Sequence, residues 1–250
     1  YDDNSLAQLE LLIDEKILNH VDRWSLQNDL FSQCVSGTKQ IQEYLDFTTS
    51  YHDEDNYITL QNLAQNLYHL YKLTRKEKFS DEIRTYTAQF LGTIFDRLGW
   101  DSQKNEKHTD ALLRSFVITA LGKLGDKEIL NEARKRFNKF LKNKNSLAAD
   151  LQEPVFVLVA WQGNEKTYNK LLSLYKKSTL QEEKIRFLMA MCNFKQKNLL
   201  LKTLALSLTP EVRSQNIRVP IMGVSANIYG SDILWPWLKN NWKKLVRRFG

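Results

Sequence analysis

The chain has 250 residues, a formal net charge of +7, and a composition that is 42% hydrophobic and 26% charged, which suits one large or two small soluble globular domains. Nine glycines and four prolines leave few turn signals, so long helices with short connections are favoured over a sheet with many tight turns. No apolar run approaches the roughly 20 residues needed to span a bilayer, and the two cysteines, Cys34 and Cys192, lack the C-x-x-C spacing of a zinc knuckle or redox motif.

Helical periodicity starts at once. In "SLAQLELLIDEKIL" the spacing of Leu6, Leu9, Ile13 and Ile17 predicts one apolar stripe. "SLQNDLFSQCV" continues it with Leu26, Leu30, Phe31 and Cys34, and Gly37 is a stop signal. "QIQEYLDFTTSY" spaces Ile41, Tyr44, Leu45 and Thr48 in the same way, and "NYITLQNLAQNLYHLYKL" turns Leu60, Leu63, Ala64, Leu67 and Tyr71 inward. A helix from about Phe79 to Leu98 stops at Gly99, followed by the polar loop "DSQKNEKH". The next two helices meet at Gly125-Asp126, a C-terminal glycine followed by an N-cap aspartate.

"EPVFVLVAWQG" is β-branched enough for a strand, but its length and neighbours predict a buried helix starting near Pro154. After "EKTYNKLLSLYKKS", Thr179 and Glu182 have capping-box spacing. Thr209-Pro210 reads as an N-cap with proline at the first helical position, and Pro220 as the end or kink of that short helix. Arg213 and Asn216 would share one face of it, and Gly223 would allow a close approach in the next helix. The total is about thirteen or fourteen helices without a convincing strand. Consecutive helices with short loops predict antiparallel hairpins stacked into an α-solenoid of the HEAT or armadillo kind, a curved superhelix or bowl.

The inventory for chemistry is sparse. No two of His20, His52, His69 and His108 lie four apart on a helix, and no matching ligand set accompanies them. Solvent-exposed or capping histidines are therefore expected, with neither a metal site nor a catalytic residue in this chain. No G-x-S-x-G elbow or phosphate-cradling glycine loop is present. The acidic "YHDEDNY" reads as a loop and helix N-terminus. Cys34 and Cys192 read as small buried hydrophobes, which suits a reducing compartment and, with the Lys- and Asn-rich composition, a cytoplasmic parent.

Charge is uneven: residues 1–60 hold 3 basic and 12 acidic side chains, and the remainder 33 basic and 17 acidic. Trp235, Trp237 and Trp242 are interleaved with Lys239, Lys243, Lys244, Arg247 and Arg248. That pattern could stack nucleic-acid bases, but Leu234, Leu238, Trp242 and Leu245 at helical spacing make a core stripe with a basic outer face the simpler account. No nucleic-acid partner is expected, and no membrane segment is expected in this chain.

Several blocks in order carry a family resemblance: "VDRWSLQNDLFSQCVSG", "RLGWDSQKNEKHTDALLRSFVITALGKLGD", "LAADLQEPVFVLVAWQGNEKTYNKLLSLYKK" and "EVRSQNIRVPIMGVSANIYGSDILWPWLKNNWKKLVRRFG". Together they resemble the helical C-terminal domain of zinc aminopeptidases of the puromycin-sensitive and aminopeptidase-N type. The resemblance spans residues 1–250 and implies a single domain, cut out of a longer chain and ending before the family's last helices. It further implies an upstream catalytic domain as partner, peptide substrates, and a zinc ion held by H-E-x-x-H…E in that upstream domain, none of it here. The domain itself would wall or close a substrate chamber. The family block around Arg213 reads R-x-Q-D; Arg213 and Gln215 match it, and Asn216 replaces the acid. Arg213 would either hold a substrate carboxylate or carbonyl or tie two helices together. Gln215 and Arg218 stand beside it as candidate peptide contacts, although a structural role is the favoured reading for them and for Asn216. The alternative to this reading is a stand-alone helical-repeat adaptor for a protein partner.

Overall fold

The computed structural model describes residues 3–249, which contain thirteen α-helices, three 3-10 turns and no strand. The all-α class read from periodicity is therefore correct. The chain forms two compact units, Tyr1–Val117 and Ile118–Gly250.

The first unit holds α1 (Asp3–Asp14), α2 (His20–Val35), α3 (Ile41–Thr48), α4 (Tyr57–Thr74), α5 (Ser80–Leu98) and the start of α6 (His108–Leu124). Helix α2 packs on α3 and α4, and α4 packs on α5. Local chemistry explains several starts. Asn19 caps α2 by accepting from the backbone N–H groups of Val21 and Asp22 at 2.9 and 3.0 Å, and Asn56 caps α4 in the same manner. The predicted stripes meet in one core of Leu6, Ile13, Leu26, Leu30, Phe31, Tyr44, Leu63 and Leu67, with Tyr71 packed against its edge. Ile17 departs from the reading: Lys16 adopts φ 53°, α1 ends at Asp14, and Ile17 is 62% exposed. A left-handed residue ends the helical register, so the spacing of Ile17 no longer places it on the inward face.

Two buried ion pairs hold the loops of this unit. Arg23 of α2 donates from Nε and Nη2 to the two carboxylate oxygens of Glu54 at 2.6 and 2.8 Å, and from Nη1 to the Leu18 carbonyl at 2.6 Å. Glu54 in turn accepts the N–H groups of Asp55 and Asn56 at the approach to α4. Arg114 of α6, with 0% side-chain exposure, forks onto Glu106 of the polar loop and donates to the carbonyls of Leu98 and Gly99. It thus satisfies orphan acceptors at the C-terminal end of α5 and sets a positive charge against the negative end of that helix. The acidic cluster, read from sequence as a loop and helix N-terminus, and the polar loop are where these anchors attach.

The second unit holds α7 (Lys127–Lys142), α8 (Ala149–Trp161), α9 (Glu165–Lys177), α10 (Gln181–Met191), α11 (Lys197–Ser207), α12 (Arg218–Ala226) and α13 (Ser231–Phe249). Helices α8, α10 and α12 form a row, each packed on the next, while α7, α9 and α11 pair with α8, α10 and α12 respectively. Gly125 at φ 105° and the Asp126 cap form the expected turn into α7. The "VFVLVAW" run is a buried helix and not a strand, because residues 155–161 are covered on every side. Phe156 is its centre, with ring centroids 4.9 Å from Phe187 and 5.0 Å from Phe140. At Gly223 a Cβ would lie 2.7 Å from the Cβ of Cys192, so the expected close approach of α12 to α10 is real. Cys192 is fully buried, and burial pushes its thiol up to about 12. Cys34 is only half-buried.

Other local expectations in this unit are corrected. Helix α8 starts at Ala149, and Pro154 lies inside it; the missing N–H leaves a carbonyl free at the exposed Asp150. Thr179 and Glu182 form no capping box: Leu180 precedes α10 without a side-chain cap, and Glu182 and Glu183 meet the positive helix end. Pro210 lies in a turn and starts no helix, while Pro220 sits in the first turn of α12, where no donor is required of it. In α13 the inward stripe runs through Trp237 and Leu245, leaving Trp235 and Trp242 65% and 63% exposed.

The ion pairs set the acid sensitivity. Burial raises the Glu54 carboxyl, but the Arg23 hydrogen bond and the two backbone donors outweigh it and hold the group below 4.5; hydrogen bonding to Arg114 lowers Glu106 likewise. A depressed carboxylate stabilises the fold above its unfolded value and loses that stabilisation as pH falls through the folded one. Urea midpoints are therefore expected to be level at neutral pH and to fall below about pH 4.5. Glu106→Gln should lower stability at pH 7 by about 3 kcal/mol and flatten the acid limb, both read from the same titrations.

Candidate peptide-contact segment

Between α11 and α12 the chain runs from Leu208 to Ile217 without an α-helix and includes a 3-10 turn at Ser214–Asn216. Its fixed points are backbone groups. The hydroxyl of Tyr175 on α9 donates to the Glu211 carbonyl at 2.8 Å, and Arg248 Nη2 on α13 donates to the Val212 carbonyl at 2.7 Å. Lys176 approaches the Glu211 carboxylate at 3.5 Å. Val212 and Ile217 are buried side chains at either end of the turn. The Asn216 N–H donates to the Arg213 carbonyl at 2.8 Å and closes the turn.

That arrangement leaves the intervening side chains outward. Arg213, Gln215 and Arg218 are exposed, whereas Asn216 is buried. Among the described residues, Arg213, Gln215 and Arg218 have no side-chain hydrogen-bond or ion-pair partner. Arg213 lies close enough to influence Tyr175. Burial and the Glu211 charge raise that phenol, and the guanidinium offsets part of the rise. In the structure, Tyr175 and Arg248 fix this segment to α9 and α13. Neither residue could be singled out from sequence, because each acts from 36 positions away on another helix.

The donor set does not fit a zinc ion. Among the described residues no three His, Cys, Asp or Glu side chains gather as ligands. All four histidines are exposed, as expected, and His52 has its two ring nitrogens 3.2 and 3.3 Å from Asp14 and Asp53. No helix of the described residues is long and apolar enough to cross a membrane.

Residues 1–250 match the ERAP1-like C-terminal domain. The chain belongs to that family. The chain is similar to aminopeptidase M1-A of Oryza sativa subsp. japonica, 29% identical over 100% of this chain and 29% of the relative. Glutamyl aminopeptidase of Sus scrofa is 30% identical over 96% of this chain and 26% of its own length. Aminopeptidase 2, mitochondrial, of Saccharomyces cerevisiae is 25% identical over 99% and 26%. The chain therefore spans between a quarter and three tenths of the length of these curated relatives. The family resemblance carried by the sequence blocks is correct.

If the segment is held by its backbone anchors, substitutions should separate cleanly. Arg213→Ala should change stability by no more than about 0.5 kcal/mol. Tyr175→Phe should cost about 1 kcal/mol by leaving the Glu211 carbonyl without its donor. Thermal unfolding of both variants checks the contrast.

Proposed function

We propose that this chain is the non-catalytic C-terminal domain of a zinc aminopeptidase, and that its helix pairs form a curved wall of the chamber in which peptides meet the catalytic domain. The observation that carries the reading is the match of the whole chain to a C-terminal domain family whose relatives here are named aminopeptidases and are more than three times as long. Catalytic residues and zinc then belong to another part of the parent polypeptide, which is also this domain's partner. Stacked helix pairs suit the role, since they build broad curved surfaces from local contacts alone.

Within that reading, Arg213 contacts the peptide. Its guanidinium donates charge-assisted hydrogen bonds to a carboxylate or backbone carbonyl, with Gln215 and Arg218 beside it. The backbone anchors at Glu211 and Val212 fix the segment beforehand, so little ordering remains to oppose binding. An Arg at this place strengthens binding without taking part in bond cleavage.

In the full-length enzyme, Arg213→Ala is expected to raise KM for peptides by about tenfold, the loss of one charge-assisted contact, with kcat and melting temperature unchanged. A lower melting temperature with unchanged KM would overturn the contact. A parent reading frame without H-E-x-x-H upstream would sink the assignment as a whole. Incubated alone with zinc and an aminoacyl reporter, the 250-residue chain should release no product.

A further inference from the structure

A groove in the second unit, whose lining includes none of residues 213–218, has a chemistry of its own. It encloses about 350 Å³ and is lined by residues of α7, α8 and α9 and of the turn between the last two. Phe137, Leu141 and Val159 contribute its apolar wall, and Arg134, Lys166 and Lys170 supply three cations; no acidic side chain lines it. The one carboxylate in the first turn of α9, Glu165, is engaged by Lys202 of α11. Glu132, on the helix that carries Arg134, is taken by Arg136 and Lys135.

The groove is also held in shape. Gln162 accepts from Arg134 Nη2 at 2.5 Å and donates from Nε2 to the Leu130 carbonyl at 2.8 Å, which holds the guanidinium across the α7–α8 pair. Gly163 permits the tight passage into α9: a Cβ there would lie 2.7 Å from the Val159 carbonyl oxygen and 2.8 Å from Thr167 Cβ. Lys166 and Lys170 lie one turn apart on α9, both exposed, and among the described residues their side chains have no hydrogen-bond or ion-pair partner. The positive end of α9 adds to the same field. Three cations around an apolar floor, with neighbouring acids already paired, favour a negative group attached to a hydrocarbon body.

We infer that the α7–α8–α9 groove binds a small amphipathic organic anion, its acid group held by Arg134, Lys166 and Lys170 and its apolar portion laid on Phe137, Leu141 and Val159. The acid group is a carboxylate or a phosphate; the cations serve either, and Arg134 offers the fork geometry that both accept.

Isothermal titration of the full chain tests this with hexanoate, hexan-1-ol, hexyl phosphate and inorganic phosphate. Hexanoate or hexyl phosphate should bind one to one, the tighter of the two identifying the acid group. Hexan-1-ol and inorganic phosphate should each be at least about tenfold weaker, as each lacks one half of the recognition. Arg134→Gln, and separately Lys166→Gln with Lys170→Gln, should each weaken binding by about tenfold, with melting temperatures unchanged. The affinity should also fall as sodium chloride is raised. Equal affinity for hexan-1-ol would overturn the ionic half of the inference, and equal affinity for inorganic phosphate the apolar half. Failure of all four to bind, or binding untouched by the substitutions, would overturn the site.

Discussion

Every α-helix leaves four N–H groups and four carbonyls without partners inside it, and a fold made only of helices meets that demand at each connection. Here four of the starts are served by asparagine or aspartate close in sequence: Asn19, Asn56, Asp126 and Asn164 each accept from backbone N–H groups of the turn that follows. Three of the longer connections depend on distant groups. Arg114 covers the end of α5, and Arg23 with Glu54 binds the approach to α4. Tyr175 and Arg248 fix the segment before α12. Buried in this way, arginine is well suited to the task, since one planar fork can serve a carboxylate and several carbonyls together.

The same constraint shapes what is left free. Where an irregular segment is fixed by its backbone, its side chains are released for other uses, and residues 213–218 are the example. Val212 and Ile217 are inside, while Arg213, Gln215 and Arg218 face outward without partners among the described residues. In the proposed chamber-wall role, that arrangement would present contacts on a prearranged frame and not on a mobile loop. The α7–α8–α9 groove follows the same logic by a different route. There Gln162 spends its amide on holding an arginine in place, and the nearby carboxylates are drawn off by other lysines and arginines.

Much was legible along the chain because helix formation is local. Apolar spacing located the core residues of α2 and α4, and Gly125-Asp126 announced its turn, since a positive φ and a side-chain cap are properties of adjacent residues. Misreadings arose where two local signals competed. Thr179 offered a cap and Pro210 a helix start, but α10 begins at Gln181 after Leu180, and Pro210 lies in a turn. Trp242 and Trp237 both suit a helical stripe, and only the rotation of α13 against its neighbours turned Trp237 inward.

The sequence by itself determined the all-helical class, most helix positions, the family, and the absence of an H-E-x-x-H motif from these 250 residues. These rest on periodicity, turn chemistry and ordered blocks of residues, all of which are written along the chain. Tertiary structure alone decided which charged residues are buried. Nothing in "VDRWS" or "ALLRSFV" distinguishes Arg23 and Arg114 from the other thirty-four cations of the chain. A guanidinium tolerates burial only where a carboxylate and free carbonyls converge on it from other elements, and that convergence exists only once the helices have packed.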